Sequence, residues 1–204
     1  HPMNFTEELA RTLVTNPKVA PFLHLPVQSG SNAVLKRMLR EYTIEQYLER
    51  LGFLGEGRSN LALSTDFIVG FPGETDADFQ ATMDILETVK YDASFSFIYS
   101  PRPGTPALRL RDDLPPKVKS ERLRILQARQ TELTRASNDA FIGRTLKARI
   151  ESEGPTEEGH WLARTGEWKN VHLAAGPARQ LPFGELVEVR ITGAGPHQLV
   201  GELA

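Results

Sequence analysis

The chain has 204 residues, enough for one medium-sized domain and a small one. Its hydrophobic content of 40%, charged content of 25% and net charge of −2 are ordinary for a globular protein and give no overall sign of nucleic-acid binding. The absence of cysteine excludes disulfides, thiolate catalysis and any iron–sulfur cluster held by cysteines of this chain. No apolar run spans a bilayer and no signal peptide is recognisable, so we expect a cytoplasmic protein without membrane contact.

The N-terminal part of the chain reads as a helix, a strand and a second helix. Apolar residues four apart predict a helix over residues 4–14, with Thr6 and two glutamates as its start. Residues Val19–Leu25 read as a strand, and Pro26–Ser31 is a polar turn containing glycine. A helix is predicted from about Asn32, with apolar residues on one side. The inner face of that helix is expected to carry Val34, Leu35, Met38 and Leu39.

The pattern of strand, turn and helix continues through the next segments. A helix beginning at Thr43 precedes the strand Leu61–Val69, whose β-branched and aromatic run is typical of a buried parallel strand. A glycine–proline turn then leads to an amphipathic helix over residues 76–89, which Thr75 or Asp76 is expected to cap. The alternating segment Ala93–Tyr99 is the third strand.

Repeated strand–helix units predict parallel strands joined by right-handed crossovers. Three strands are too few to close an eight-stranded barrel, so the sheet is either a small open one or a piece of a larger barrel. In α/β folds, ligands bind at the loops that follow the carboxyl ends of the strands. Here those loops are Pro26–Ser31, Gly70–Thr75 and Ser100–Pro106.

The remainder of the chain differs in composition. A long helix is predicted from Pro116 to about Ala140. Arg102–Arg135 holds nine basic residues against four acidic ones, which indicates either a solvated helix face or a surface for an anionic polymer. Short alternating segments then predict a small antiparallel barrel, and barrels of this kind often bind oligonucleotides. We expect these strands at Leu146–Ile150, His160–Arg164, Asn170–Leu173, Glu185–Ile191 and Gln198–Leu203, separated by clusters of glycine, proline and glutamate.

Four sequence strings occur in order and together resemble the radical-SAM methylthiotransferases. They are His24–Ser31, Leu35–Met38 with Arg40 and Tyr42-Thr43, Ser64–Thr75, and Phe95–Pro106. The Pro-Arg-Pro-Gly-Thr-Pro loop looks like the MiaB type, which modifies tRNA, rather than the RimO type, which modifies a ribosomal protein. The long helix and the last barrel resemble the TRAM domain that ends these enzymes.

The resemblance implies an α/β partial TIM-like barrel of three strand–helix units over residues 1–140 and a TRAM RNA-binding β-barrel over residues 141–204. The parent enzyme would hold two [4Fe–4S] clusters and bind S-adenosylmethionine (SAM). It would add a methylthio group to (isopentenyl)adenosine next to the tRNA anticodon. The chain begins at His1 without a plausible start methionine, so we expect a fragment that lacks the N-terminal half and its cluster ligands. Alone it would be inactive, with no catalytic or metal-binding residue of its own.

The resemblance and the strand-end loops together single out cofactor-binding candidates. Gln28 and Ser29 can hydrogen-bond a ribose or an amino-acid head group, although Ser29 or Ser31 can equally cap a helix. Arg40 can pair with the methionyl carboxylate or form a surface salt bridge. Gly70 would let the backbone approach the adenosyl group.

Two further candidates lie within the strands themselves. Asp66 lies inside an apolar strand and needs a partner if it is buried, whether it faces the ligand or bonds a neighbouring element. His24 also lies in an apolar strand, where a lone histidine is more often structural than functional.

RNA-binding candidates lie at a strand end and in the terminal barrel. Arg102 is placed to meet a substrate phosphate. The family's Gly-Arg-Thr…Asn pattern is matched with Ala163 where glycine is usual, and Trp161 and Trp168 can stack on bases or fill the barrel core. The residues that match the pattern, with a lysine between them, are Arg164, Thr165, Lys169 and Asn170. A non-catalytic RNA-binding module is the rival interpretation from another functional class.

Overall fold

A computed structural model describes residues 1–152, 154, 160–174 and 181–204. Residues 1–19 and 23–130 form one compact unit, and residues 20–22 and 131–204 form a second. Within the described residues, no helix is both long and apolar enough to cross a membrane. The domain assignment of 1–140 and 141–204 stays a prediction, and the glycine, proline and glutamate clusters at 153–159 and 175–180 fall largely outside the described residues.

The first part of the chain alternates helices with three short strands. Brief 3-10 turns occur at Pro2–Asn4, Gly55–Asn60 and Pro106–Arg109. The helices and strands, in chain order, are α1 (Glu7–Thr15), β1 (Phe22–His24), α2 (Asn32–Arg37), α3 (Ile44–Gly52), β2 (Ala62–Val69), α4 (Asp76–Val89), β3 (Ala93–Ile98) and α5 (Pro116–Asp139).

Side-chain caps set the start of four helices. Thr6 begins α1 by accepting a hydrogen bond from the amide of Leu9, as expected. Thr43 and Thr75 each form a reciprocal capping box, so the cap expected at Thr75 or Asp76 is Thr75. Ser31 caps α2, which leaves Ser29 free for another role.

The three strands form one sheet in the order β1-β2-β3. Strands β2 and β3 are parallel, with Asp66 opposite Phe95 and Ile68 opposite Phe97. A parallel bridge joins Gln28 to Phe67 on the other side of β2. Side chains alternate between the two faces of a sheet, and the two faces of this sheet differ in burial. One is buried through Thr65, Phe67 and Val69, and the other carries Asp66, Ile68, Phe95 and Phe97.

Three expectations for the first part were wrong in detail. The helix expected over residues 4–14 begins at Glu7, because the Thr6 cap stops it from starting earlier. The strand expected over Val19–Leu25 shrinks to Phe22–His24. Leu39 is not on an inner helix face: α2 ends at Arg37, and Leu39 is exposed in the left-handed region with a φ of 57°.

The second part of the chain closes into a five-stranded barrel in the order β4-β5-β6-β8-β7. Every neighbouring pair is antiparallel except β6 and β8, so the expectation of a fully antiparallel barrel was wrong. A closed ring of five strands cannot alternate direction at every pair, which makes one parallel pair unavoidable. The strands are β4 (Thr145–Ile150), β5 (Trp161–Thr165), β6 (Asn170–Ala174), β7 (Leu186–Ala194) and β8 (Leu199–Leu203).

Alternation along the barrel strands places apolar side chains inside. Leu146, Ala148 and Ile150 of β4 all point into the core, while the residues between them are exposed. Trp161 is buried in the same core, so of the two roles open to it from the sequence it fills the barrel core.

Candidate functional site

A cavity of ≈ 570 Å³ lies at the carboxyl ends of the three parallel strands. Its polar lining includes Gln28, Arg40, Asp66 and Arg102, four of the residues predicted from the sequence. These side chains come from β2 and from segments that follow β1, α2 and β3, and the fold brings them to one place. Ile68, Phe71, Phe97 and Tyr99 supply apolar and aromatic walls.

Gln28 is held by its backbone at the edge of β2. Its amide donates to the carbonyl of Asp66 at 2.8 Å, and its carbonyl accepts from the amide of Ile68 at 2.8 Å. Its φ of 68° lies in the left-handed region, which is uncommon outside glycine and which concentrates at functional sites. The bonds to β2 hold this conformation and keep the amide side chain at the cavity.

Ser29 does not line the cavity. It is fully buried, its Oγ lies 3.3 Å from Oγ1 of Thr82 on α4, and it accepts a bond from the amide of Ser31 at 3.2 Å. A Cβ atom on Gly30 would lie 2.1 Å from the carbonyl oxygen of Ala81, so this turn packs directly on α4. The structure therefore brings Ser29 into the packing of the turn and away from the cavity.

Arg40 lines the cavity and carries a hydrogen-bond donor that has no partner in the described structure. Its Nε is buried and has no hydrogen-bond partner, and no carboxylate in the described part of the chain forms an ion pair with it. The neighbouring Arg37 also lines the cavity but donates to the carbonyl of Gly73 at 3.0 Å. Sequence reasoning missed Arg37, the last residue of α2. Arg40 therefore offers an unpaired cationic group to an anionic ligand.

Asp66 and His24 meet on the open face of the sheet. Nε2 of His24 lies 3.5 Å from Oδ1 of Asp66, and Nδ1 lies 2.8 Å from Oγ of Ser64. The sequence had indicated that His24 lies in an apolar strand. Its side chain is nevertheless 36% exposed, so it is not a core residue. His24 is not part of the cavity lining and contacts it through Asp66.

Two exposed aromatic side chains on β3 were missed by sequence reasoning. Phe95 is 58% and Phe97 55% exposed, and they lie opposite Asp66 and Ile68 across the sheet. Their alternation with Ser94 and Ser96 was a signal that one face of β3 is open.

Gly70 lies at the end of β2 and does not line the cavity. Its φ is 70°, its amide donates to Oε1 of Glu74 at 3.1 Å, and a Cβ atom there would lie 2.5 Å from Cγ of Lys119. The close approach that requires glycine is therefore that of Lys119.

The RNA-binding candidates of the barrel divide into structural and exposed residues. Thr165 is buried in the β5–β6 hairpin, where its Oγ1 accepts from the amide of Lys169 at 3.3 Å. Lys169 is nearly buried, with Nζ 3.2 Å from Oγ of Ser137. Asn170 is exposed, opposite Arg164 across the hairpin.

Arg164 and Trp168 form a stacked pair in this unit. The guanidinium carbon of Arg164 lies 4.7 Å from the Trp168 ring centroid, and its Nε donates to Glu151 at 2.7 Å. Trp168 is 54% exposed, and its ring also stacks on Phe22 at 5.5 Å. Burial raises the pKa of Glu151, but bonds from Arg149 and Arg164 outweigh it, and the net shift is downward.

Comparison with known proteins agrees with the geometry of the first unit. Residues 1–86 match the Radical SAM superfamily. The whole chain is 43% identical to the tRNA-2-methylthio-N(6)-dimethylallyladenosine synthase of Koribacter versatilis and 44% identical to that of Thermus thermophilus, covering 46% and 43% of those proteins. The first 86 residues are thus similar to radical-SAM proteins, and the whole chain is similar to part of these synthases. The resemblance carried by the four sequence strings is thus confirmed.

The chain spans less than half the length of the curated relatives that it matches. The Rickettsia akari relative, at 42% identity over 203 residues, is covered to 45%. A solved structure of coproporphyrinogen III oxidase (HemN) from Escherichia coli, described as a radical SAM enzyme, matches 94% of the chain with a TM-score of 0.54 and 20% identity. At that identity the likeness shows the fold alone.

Proposed function

We propose that this chain is the C-terminal part of a radical-SAM tRNA methylthiotransferase, which adds a methylthio group to dimethylallyladenosine beside the anticodon. The observation that carries the proposal is the convergence of Gln28, Arg40 and Asp66 on one cavity at the carboxyl ends of parallel strands. The relatives are named for that product, and the match to them runs over the whole chain.

The cavity residues suit SAM. The unpartnered Nε of Arg40 matches the methionyl carboxylate, and the oxygen atoms of Asp66 and Gln28 suit the ribose hydroxyls or the amino group. Ile68 and Phe97 supply an apolar wall for the adenine ring. When bound to the complete enzyme, SAM supplies a radical and a methyl group. The residues of this chain orient the cofactor, and Arg102 is left to face a substrate phosphate.

The iron–sulfur clusters of the family do not fit the residues of this chain, because it contains no cysteine. We infer that the ligands of both [4Fe–4S] clusters belong to an N-terminal half, which is the necessary protein partner. In this view the three parallel strands are part of a TIM-like barrel, and the terminal barrel is a TRAM domain that binds the anticodon stem–loop in the cytoplasm. Arg164 and Asn170 are its exposed contacts, while Thr165 and Lys169 support the hairpin that carries them.

Binding of S-adenosylhomocysteine to the cluster-loaded protein that carries this chain tests the proposal. Arg40→Ala removes one of the three arginines that line the cavity, and we expect the dissociation constant of S-adenosylhomocysteine to rise by about tenfold or more, since charge-assisted bonds are worth about 1.5–3 kcal/mol. Lys36→Ala is the matched control, because Lys36 is a nearby exposed cation in α2 and does not line the cavity. Equal affinity in both variants would contradict the proposed cofactor site.

A non-catalytic RNA-binding module is the second candidate, and the absence of cysteine favours it for the chain alone. Anaerobic reconstitution with iron and sulfide separates the two. A stoichiometric cluster bound by these 204 residues alone would contradict the assignment of the cluster ligands to another segment.

A further inference from the structure

The turn that follows β2, residues 70–75, is held by two buried basic residues of α5. The side chains of Lys119 and Arg122 are only 8% and 6% exposed, although both are cationic. Buried cations are found with partners, and both of these have them. The turn contributes Phe71 to the cavity, so whatever holds the turn also shapes the cavity wall.

Arg122 bonds to the turn through both terminal nitrogen atoms. Nη1 donates to the carbonyl of Glu74 at 3.1 Å and to its Oε1 at 2.6 Å, and Nη2 donates to Oδ1 of Asp76 at 2.6 Å. The guanidinium also lies over the Phe79 ring, 5.6 Å from its centroid. A planar fork with several donors makes such a set of contacts, and a lysine cannot reproduce it.

Glu74 connects Arg122 to the end of β2 through a second hydrogen bond. Its Oε1 accepts from the amide of Gly70 at 3.1 Å, and its side chain is 1% exposed. Burial raises the pKa of Glu74, while the bonds from Gly70 and Arg122 oppose the shift. Without Arg122, the carboxyl group would take up a proton or turn away, and the Gly70 amide would lose its charged acceptor.

Lys119, one turn before Arg122 in α5, packs against Gly70 at the end of β2. Its Cγ occupies the space beside Gly70, where an added Cβ would lie 2.5 Å away. Its Nζ donates to both carboxylate oxygens of Asp112 at 2.5 Å and lies 5.9 Å from the ring centroid of Tyr99, which lines the cavity. The two helix residues therefore meet the turn at adjacent positions.

We propose that Arg122 is a positioning residue: through Glu74 it fixes the Val69–Gly70 peptide, next to Phe71, and so sets the affinity of the cavity for its adenosyl ligand. The identity of that ligand rests on the proposed function. Arg122 lies outside residues 1–86, the part that matches the Radical SAM superfamily, so a segment beyond the matched region supplies the support. The support is mechanical, because Arg122 does not line the cavity.

The test measures the dissociation constant of S-adenosylhomocysteine and the melting temperature of the cluster-loaded protein that carries this chain. Arg122→Gln is expected to weaken binding by about tenfold, the upper range for residues that act through a chain of contacts. Arg124→Ala is the matched control, because Arg124 lies on the same helix, is 68% exposed and, among the described residues, pairs only with the exposed Glu121. It is expected to change binding by less than about twofold.

If Arg122→Gln does not fold, two conservative variants test the same contacts. Arg122→Lys keeps the charge but cannot reach Glu74 and Asp76 together, and Glu74→Gln keeps an acceptor for the Gly70 amide. Both are expected to bind the ligand more weakly than the wild type and more tightly than Arg122→Gln. A lower melting temperature with unchanged affinity in all three variants would overturn the positioning role.

The two proposals fail in different ways. If Arg40→Ala weakens binding and the Arg122 and Glu74 variants do not, the positioning role is wrong and the proposed cofactor site stands. If neither set weakens binding, both are wrong.

Discussion

The hydroxyl groups of Tyr91 and Tyr47 lie 3.0 Å apart in the core of the first unit, and Tyr47 donates onward to the carbonyl of Leu25 at 2.9 Å. Both side chains are fully buried. The pair joins the residue that precedes β3 to α3 and to the segment that leads from β1 into the cavity turn. Part of the support for the site is therefore a polar chain inside an apolar core.

Tyr47→Phe should destabilise the first unit. The change leaves the buried hydroxyl of Tyr91 without its acceptor and removes one of the two donors to the carbonyl of Leu25, the other being Thr65. The expected cost is about 1–3 kcal/mol in the free energy of unfolding. Urea denaturation measures the loss. Tyr99→Phe is the control, because within the described residues its hydroxyl makes no hydrogen bond, and a loss as large in that variant would contradict the assigned role.

Alkaline pH should destabilise the protein through its buried phenols. Burial raises the pKa of Tyr42 to about 12, with the nearby Arg40 opposing the shift. A phenol whose pKa is raised on folding contributes stability that is complete below the unfolded value of 10.0 and is lost as the pH rises towards 12. The pKa values of Tyr47 and Tyr91 are also raised by burial, so they add to the slope.

Tyr42→Phe isolates one of these contributions. Between pH 10 and 11, the free energy of unfolding should fall less steeply in this variant than in the wild type, by up to about 1.4 kcal/mol per pH unit. Denaturant titrations at several pH values measure both slopes. Identical slopes would mean that Tyr42 titrates normally in the folded protein.

Gly30→Ala should damage the turn that carries Gln28. The added Cβ would meet the carbonyl oxygen of Ala81 at 2.1 Å, a backbone contact that cannot swing aside, and the cost should exceed about 2 kcal/mol. Gly52→Ala is the matched control: no atom lies within 4 Å of its added Cβ at the end of α3. That control should be neutral or stabilising by up to about 1 kcal/mol in the same thermal denaturation assay.

The Arg164–Trp168 pair predicts a specific pattern of RNA affinities. Arg164→Ala should weaken binding of an anticodon stem–loop and lower the salt dependence by about one unit of slope, because one phosphate contact is lost. Arg164→Lys should keep the slope and lose part of the affinity, since lysine lacks the planar group that packs on Trp168. Fluorescence anisotropy at several salt concentrations measures both quantities, and equal slopes in all three proteins would exclude a phosphate contact by Arg164.

Local signals in the sequence predicted most of the elements. Helix starts at Thr6 and Thr75 follow from hydrogen bonds that span three residues, and the alternation in β4 follows from the pleat of a strand. The loops that form the cavity were predictable as well, because a parallel strand places its carboxyl end beside that of its neighbour. Gln28 and Arg102 were found in this way, whereas Arg40 was singled out by the family resemblance and Asp66 by its position inside an apolar strand.

Side chains that compete for the same role required the packed structure. Ser29 and Ser31 are chemically alike, and only the position of Thr82 on α4 assigns one to the turn and the other to the cap. Gly70 was expected to make room for a ligand, yet the side chain that fills the space comes from Lys119, far along the chain. The parallel pairing of β6 and β8 likewise follows from closing an odd number of strands into a barrel. The sequence of a single strand does not show this closure.

The amino-acid order thus specifies the helix caps, the strand pattern and the resemblance to the methylthiotransferases, since each depends on neighbouring residues or on strings read in sequence. The Ser64–Thr75 segment is the clearest case, because its apolar run, glycine turn and threonine cap are all visible in one stretch. The support of that segment by Arg122 is a property of the folded chain. It arises from a contact across 48 residues, in a buried site where an ion pair forms because both partners are removed from water together.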